Sequence, residues 1–307
     1  MSSLSVIVPC YNEEVALPIF FERIEKIRLE FPLEFEYIFV NDGSTDGTLD
    51  TLRSLCDENT FVHYLSFSRN FGKEAAILAG LQTASGDYVT LMDADLQDPP
   101  ELLLEMYEKI QEKDIDCVAA QRVSRSGEAL LISVGSRLFY KLINKMSKTE
   151  IIDGVRDFRL MTRQVVDAIL QLSEYNRFSK GLFSWVGFNT QYISYENQQR
   201  VAGKTKWNFW EKVAYAFDGF VNFSEAPLEI ATYTGLTTVF LTIIGIIALI
   251  IRQLFFHHSV SGWTSMIVVL LFCFGFTLLM LGIIGKYISN IFLESKKRPV
   301  YIVKEQK

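Results

Sequence analysis

The sequence predicts an α/β domain built on a mostly parallel sheet, followed by two helices that cross a membrane. Up to about residue 121, short runs of β-forming residues alternate with helical stretches, which is typical of a parallel sheet with covering helices. Nearer the C-terminus, two long stretches lack charged residues. The chain has 307 residues, is 49% hydrophobic and has a mean hydropathy of +0.18, so it is too apolar for a disordered protein.

Five short runs are predicted as strands: Leu4–Val8, Glu36–Val40, Val62–Phe67, Tyr88–Met92 and Cys117–Ala120. A helix is predicted just after the fourth run, because Asp98 can cap it and Glu101 completes a capping box. The two prolines between these residues fit a first helical turn. Ligands of such sheets bind at the carboxyl ends of the strands, where we therefore look for functional residues.

The membrane prediction rests on the distribution of charge. No charged residue lies between Glu229 and Arg252, or between Arg252 and Lys286. Since roughly 20 apolar residues cross a bilayer, residues 230–251 and about 264–285 are predicted as two spans. Basic residues follow the second span, so the positive-inside rule predicts that both termini are cytoplasmic. The N-terminus shows no secretory signal, and the first 228 residues are expected to stay in the cytosol.

These features divide the chain into four parts. We expect a cytoplasmic domain over residues 1–200, interfacial helices over 201–228, a transmembrane hairpin over 229–288 and a basic cytoplasmic tail over 289–307. Residues 1–120 carry 8 basic and 23 acidic side chains, whereas residues 121–228 carry 15 and 10. An acidic half that binds a phosphate compound needs a bridging cation, and a basic half beside the membrane suits an anionic head group.

Polar clusters follow three of the predicted strands. Asp93 and Asp95 offer two hard oxygen ligands from one turn, and Gln97 can add a carbonyl oxygen. This set suits Mg²⁺ or Mn²⁺ shared with a diphosphate. A second Asp-x-Asp pair, Asp114 and Asp116, precedes a strand and is interpreted as a turn.

Two further residues at strand ends are candidates for binding a nucleotide. Asp42 can accept a hydrogen bond from a base or ribose, although Asn-Asp-Gly-Ser is also an ordinary turn sequence. Tyr11 can stack on a base, and the alternative is a ring packed in the core.

Four sequence blocks together resemble glycosyltransferase family 2: Val8–Glu14, Val40–Ser44, Ser68–Glu74 and Met92–Pro100. Within this family the chain is similar to the polyprenyl-phosphate glycosyltransferases, the group of bactoprenol glucosyltransferases and dolichol-phosphate mannose synthases. The resemblance continues through Gly154–Met161, Gly203–Trp207 and the two spans, so it covers nearly the whole chain.

The resemblance implies a GT-A fold and an inverting transfer of one sugar from a nucleotide sugar, with Mg²⁺ or Mn²⁺ required. By motif position, the nucleotide sugar is expected on Pro9, Tyr11, Glu13, Asp42, Lys73, Asp93, Ala94 and Asp95. The metal is expected on Asp93, Asp95 and Gln97. Asp157 matches the position of the catalytic base, with Arg159 beside it. Candidates for binding the lipid phosphate are Arg122, Arg137, Arg200 and Lys206.

Several roles stay open. A phosphomonoester has a second pKa near 6, so the acceptor is already nucleophilic at neutral pH and Asp157 either takes a proton or orients Arg159, Lys206 or the acceptor. Arg159 is alternatively a structural ion-pair partner. Lys73 either contacts the diphosphate or pairs with nearby carboxylates.

The favoured function is transfer of glucose or another hexose from a UDP-sugar to undecaprenyl or a similar polyprenyl phosphate at the cytoplasmic face of the cell membrane. The product would be a lipid-linked sugar donor for envelope glycans. UDP-N-acetylglucosamine and GDP-mannose are alternative donors, and a catalytically silent membrane scaffold is the alternative of another class. Glycines in the spans permit a homo-oligomer. No nucleic acid partner is expected, and the absence of a Gln-x-x-Arg-Trp sequence argues against polymer synthesis.

Overall fold

The structure is a computed structural model that describes residues 2–122, 154–196, 226–256 and 262–307, together with residues 152, 221 and 224. Its strands are β1 (Ser3–Cys10), β2 (Glu34–Asn41), β3 (Val62–Phe67), β4 (Tyr88–Leu91), β5 (Cys117–Arg122), β6 (Val155–Thr162), β7 (Thr190–Tyr195) and β8 (Val303–Gln306). Its helices are α1 (Ala16–Arg28), α2 (Thr48–Glu58), α3 (Lys73–Thr83), α4 (Leu102–Ile110), α5 (Arg163–Leu170), α6 (Ser179–Trp185), α7 (Ala226–Phe256) and α8 (Trp263–Ser295).

The described strands form one sheet in the order β7-β5-β6-β4-β1-β2-β3-β8. Strands β4, β1, β2 and β3 run parallel, and all five predicted strands are confirmed. Strand β1 lies at the centre, and its residues alternate between two cores because successive side chains point to opposite faces. Val6 packs with α1, α2 and α4 on one face, whereas Ile7 packs with α3 and α5 on the other. The sheet is therefore covered by helices on both faces.

Two strands run against this parallel set. Strand β6 is inserted between β4 and β5 and is antiparallel to both. It carries Asp157 and Arg159 into the sheet beside the turn that follows β4. Strand β6 comes much later in the sequence than the Asp-x-Asp turn, but the fold places the two side by side.

The second antiparallel strand, β8, comes from the C-terminal tail and pairs with β3. The sequence analysis did not predict it. Glu305 accepts hydrogen bonds from Arg53 at 2.6 Å and from the hydroxyl of Tyr64 at 2.5 Å. The ring of Tyr301 stacks on Phe67 with 4.8 Å between centroids. The chain therefore returns to the sheet after its two long apolar helices.

The predicted cap of α4 is wrong. The helix begins at Leu102, and no side chain caps its first turn. Asp98 is buried and accepts hydrogen bonds from Arg156 Nε at 3.1 Å and from the hydroxyl of Tyr195, while Glu101 pairs with Arg23 at 2.8 Å. Bonds to a charged guanidinium are stronger than a neutral cap, which explains why the carboxylate turns away from the helix.

Helices α7 and α8 have 31 and 33 residues and are apolar enough to cross a membrane by length and composition. At 1.5 Å per residue they extend about 46 and 50 Å, more than the roughly 30 Å hydrocarbon core of a bilayer. Residues 226–245 and 269–295 meet the criterion for a span. Most of the predicted interfacial segment, from 201 to 220, lies outside the described residues.

The end of α8 contacts the sheet domain. The backbone N–H of Tyr175 donates to Glu294 Oε1 at 2.6 Å, and Asn176 Nδ2 donates to Asn290 Oδ1 at 3.2 Å. Both contacts come from the loop between α5 and α6. This loop therefore ties helix α6 to the end of an apolar helix.

Candidate active site

The loops that follow β1 and β2 are bonded to each other at the carboxyl edge of the sheet. The backbone N–H of Asn12 donates to Ser44 Oγ at 2.9 Å, and its side-chain oxygen accepts from the N–H of Thr45 at 2.8 Å. The N–H of Glu13 donates to Thr48 Oγ1 at 2.8 Å. The loop that carries Tyr11 and Glu13, which directly follows Pro9 at the end of β1, is thereby fixed against the loop that carries Asp42.

Carboxylates converge at this edge. Burial raises the pKa of the Cys10 thiol, and the negative charges of Glu13, Asp93 and Asp46 raise it further. The effect of three carboxylates on one thiol shows that the ends of β1, β2 and β4 share one acidic region. This is the region in which the sequence analysis placed the nucleotide sugar and metal.

Asp42 is 4% exposed, and its carboxylate holds the loop that follows β3. It accepts hydrogen bonds from the backbone N–H groups of Phe71 at 2.6 Å and Gly72 at 3.0 Å. Burial raises the pKa of Asp42, although these two N–H groups and Arg69 act in the opposite direction. Gly43 has φ of +64°, and a Cβ there would lie 2.3 Å from the backbone carbon of Arg69. The two loops can approach each other this closely because residue 43 is glycine.

The Asp-x-Asp turn after β4 contains backbone strain. Leu96 is buried and has φ of +56°, in the left-handed region that non-glycine residues seldom adopt. Asp95 is 7% exposed, and its Oδ1 accepts from the N–H of Gln97 at 3.1 Å. Gln97 Oε1 accepts from Arg156 at 3.3 Å.

The second Asp-x-Asp pair, Asp114 and Asp116, lies in a turn before β5, as predicted. Asp114 has φ of +67°.

The oxygen atoms of this turn fit a divalent cation. Asp93, Asp95 and Gln97 supply two carboxylates and one amide from a five-residue segment. In the part of the chain that the structure describes, no three His, Cys, Asp or Glu side chains form a closed metal cage. An open set of oxygen ligands is what Mg²⁺ uses when substrate phosphates and water complete its coordination.

Lys73 lies between the Asp-x-Asp turn and strand β6. Its Nζ is 2.7 Å from Asp93 Oδ1 and 2.7 Å from Asp157 Oδ2. Burial lowers the pKa of Lys73, but the two carboxylates outweigh burial and raise it above its usual value. Pairing with carboxylates, one of the two alternatives for Lys73, is therefore present; contact with a diphosphate stays a prediction.

Asp157 and Arg159 lie on the same face of β6. Burial raises the pKa of Asp157, but Lys73, with help from Lys180 and Arg159, outweighs burial and holds this pKa well below its ordinary value. Asp157 is thus ionised at neutral pH.

Arg159 is 3% exposed and has no carboxylate within ion-pair distance among the residues that the structure describes. Its guanidinium donates to the carbonyl oxygens of Arg156 at 2.9 Å and Asp157 at 3.3 Å, and it stacks on Phe183 at 3.6 Å. The alternative of a structural ion pair for Arg159 does not match these contacts.

Arg122 is the one candidate for the lipid phosphate that falls among the described residues. It ends β5 at the same edge, and its backbone N–H donates to the carbonyl of Gly154 at 2.9 Å. Arg137, Arg200 and Lys206 lie outside the described residues.

Sequence reasoning missed the buried group formed by Asp98, Arg156 and Tyr195. Asp98 and Arg156 lie in two different segments that carry the family resemblance, but only the fold brings them together with Tyr195.

The mostly parallel sheet, the acidic turn at its carboxyl edge and the two apolar helices define a glycosyltransferase of the GT-A type. The model of the family described as glycosyl transferase family 2 matches residues 5–170. The chain belongs to glycosyl transferase family 2, as the sequence analysis predicted.

Relatives match over almost the full length. A protein of Bacillus subtilis (strain 168) named as a glycosyltransferase, CsbB, is 46% identical over 302 residues, covering 98% of this chain and 91% of the relative. The bactoprenol glucosyl transferase of Shigella phage SfV is 42% identical over 304 residues, covering 99% of each chain.

Among solved structures, a mannosyltransferase of Pyrobaculum calidifontis in complex with GDP-Man and Mn²⁺ aligns with 97% of this chain and 88% of that chain. Its identity is 17% and its TM-score 0.48, which is too distant to assign a substrate or a metal.

Proposed function

We propose that this glycosyltransferase transfers a single hexose, glucose or a similar sugar, from a UDP-sugar to undecaprenyl or another polyprenyl phosphate, with inversion at the anomeric carbon. The observation that carries the proposal is the 42% identity, over 99% of both chains, to a protein named bactoprenol glucosyl transferase. The identity extends through both apolar helices, so it includes the part of the molecule that a lipid acceptor requires. The product is a lipid-linked sugar donor for envelope glycans.

On the donor side, the end of β1 and the bonded loops after β1 and β2 hold the nucleotide through Pro9, Tyr11, Glu13 and Asp42. Asp93, Asp95 and Gln97 hold the metal, with the backbone at Ala94 against the diphosphate. A divalent cation, Mg²⁺ or Mn²⁺, neutralises the charge that develops on the leaving nucleotide. The fixed contacts of Asp42 support this assignment, because a preformed loop binds a ligand with less loss of conformational entropy.

On the acceptor side, Asp157 is ionised and orients the acceptor. The acceptor phosphate is mostly dianionic at neutral pH, with its second pKa near 6, so it attacks the sugar without a strong base. The main requirement is that cations allow two anions, the acceptor phosphate and the diphosphate of the donor, to approach each other. Lys73 serves this purpose between Asp93 and Asp157, and Arg159 and Arg122 add positive charge nearby.

We propose that the catalytic domain and both termini lie at the cytoplasmic face. Strands β1 and β8 belong to the same sheet, which supports a hairpin with both ends on one side of the membrane. The contact of Asn176 with Asn290 supports an active site close to the head-group layer, because residue 290 lies near the end of α8.

The test uses the full-length protein in detergent with labelled UDP-glucose, UDP-N-acetylglucosamine and GDP-mannose, each with undecaprenyl phosphate and Mg²⁺. We expect label from UDP-glucose to enter the organic phase, and EDTA to stop the transfer. If label enters the organic phase from GDP-mannose or UDP-N-acetylglucosamine instead, the proposed donor sugar is wrong. Equal turnover in excess EDTA, or preference for a water-soluble alcohol, would overturn the proposal.

A further inference from the structure

A small pocket lies between strands β6 and β7 and helix α6, and it is lined by Arg159, which lies two residues after Asp157 on β6. Its polar wall is formed by Arg159, Lys180, Ser184, Thr190 and Tyr192. These side chains offer a guanidinium, an ammonium and three hydroxyls, and no carboxylate is found among the described residues of the wall. The pocket is therefore positive, although it adjoins the most acidic region of the sheet.

The cations of this pocket act on a carboxylate that lies outside its wall. Arg159 and Lys180 both help to lower the pKa of Asp157, which is already bonded to Lys73 at 2.7 Å. Arg159 is buried against Phe183, yet its hydrogen bonds go to backbone carbonyls rather than to a carboxylate. Among the described residues, Lys180 has no hydrogen bond or ion pair. Because Asp157 is shared with Lys73, an anionic ligand in the pocket would add a counter-charge for the buried Arg159 and the half-buried Lys180.

The size of the pocket restricts the ligand. The pocket volume is about 20 Å³, which is on the scale of one or two water molecules, so only a small group of a ligand can enter it. Phosphoryl oxygens satisfy both requirements, because they are small and they accept charge-assisted hydrogen bonds from arginine and lysine.

The position of helix α6 indicates which phosphate binds. Lys180 lies four residues after Asn176, which contacts Asn290 near the end of α8. The neighbouring Tyr175 contacts Glu294 on the same helix. The pocket is thus built from a helix anchored where the apolar hairpin ends, and it adjoins the carboxylate expected to orient the acceptor.

We infer that Lys180 and Arg159 form a phosphate-binding pocket, and that it takes the phosphomonoester of the acceptor lipid. The inference rests on the proposed function, and it adds Lys180, which the sequence analysis did not single out. A nucleotide diphosphate has the same chemistry, so the experiment must separate the two phosphates.

The experiment measures two binding reactions with full-length protein and the variants Lys180→Met, Lys180→Arg and Lys113→Met. One reaction is with UDP in the presence of Mn²⁺. The other is with phosphatidylcholine vesicles that contain or lack undecaprenyl phosphate. Lys113→Met is the matched control, because Lys113 is exposed in the turn before β5, at the opposite edge of the sheet. The KM for each substrate is measured on the same preparations.

We expect Lys180→Met to weaken binding of the undecaprenyl phosphate vesicles and to raise the KM for the lipid by about tenfold or more, while UDP binding stays within twofold. Lys180→Arg should retain most of the affinity, and Lys113→Met should match wild type. Weakening of UDP binding alone would assign the pocket to the donor and overturn the acceptor assignment. If a folded Lys180→Met variant binds both ligands as wild type does, the assignment of this pocket as a phosphate-binding site is overturned. Failure of wild type to transfer sugar to undecaprenyl phosphate would instead overturn the proposed function.

Discussion

The Nζ atom of Lys73 lies 2.7 Å from Oδ2 of Asp157. The same ammonium contacts Asp93, so one lysine at the start of α3 links the turn expected to bind the metal with the strand that carries the expected catalytic carboxylate. Without a cation between them, these two carboxylates would repel each other. The first prediction follows from this arrangement.

Lys73→Met should lower the melting temperature of the protein in EDTA, because it leaves two facing carboxylates without their cation. Added Mn²⁺ should recover much of the loss in this variant, since a divalent ion at Asp93 replaces the missing charge. Thermal unfolding with and without Mn²⁺ measures both effects, and Lys73→Arg is the control that keeps the charge. A melting temperature equal to wild type in EDTA would contradict the electrostatic role of Lys73.

Asp157 should not titrate in the pH range of catalysis. Its pKa is lowered in the folded protein, so its contribution to stability is fully present above the unfolded pKa of about 4 and is lost as pH falls through the lowered folded value. Wild type should therefore lose stability relative to Asp157→Asn only below about pH 4. Denaturation midpoints of both proteins between pH 3 and pH 8 test this. A stability difference that changes between pH 5 and pH 8 would show that the carboxylate titrates there instead.

Asp95→Asn should reduce transfer by about 100-fold or more, because an amide is a much weaker ligand for Mg²⁺ than a carboxylate. Mn²⁺ binding, followed by electron paramagnetic resonance, should weaken in parallel. The matched control is Asp114→Asn, which alters the other Asp-x-Asp pair in a turn where asparagine also tolerates positive φ. Equal loss in both variants would point to a general effect of charge rather than to a metal site.

Arg156→Met should destabilise the protein by about 3 kcal/mol, because it leaves the carboxylate of Asp98 buried without its cation. Burial already raises the pKa of Asp98, and the loss of Arg156 should raise it further. Adding Asp98→Asn to Arg156→Met should recover part of the stability. Chemical unfolding of the single and double variants gives the coupling energy; additive effects would mean that the two side chains do not act as a pair.

Much of the fold could be predicted from the sequence, because the strands of a covered parallel sheet are nearly continuous apolar runs. The clusters around Tyr11, Asp42 and Asp95 could be located for the same reason, since the carboxyl ends of parallel strands meet at one edge. Contacts between residues that are distant in the sequence could not be predicted in this way. Lys73 and Asp157 are 84 residues apart in the sequence, and no local sequence pattern indicates that they are in contact.

Two further features escaped prediction for identifiable reasons. Asp98 has the local signature of a helix cap, but a guanidinium supplied by β6 competes for it. Strand β8 is only four residues long and consists largely of polar residues, so it lacks the hydrophobic alternation that marks a strand. Its pairing depends on backbone hydrogen bonds and on the interaction of Glu305 with Arg53.

The tail strand has a practical consequence for handling the protein. Because β8 covers the edge of β3, removing residues 303–307 would leave a row of unpaired backbone N–H and C=O groups open to strands from other molecules. An affinity tag fused directly after Lys307 would crowd the same edge. Protein that lacks residues 303–307 should therefore aggregate more than intact protein tagged at the N-terminus. Light scattering of the two purified forms measures this difference.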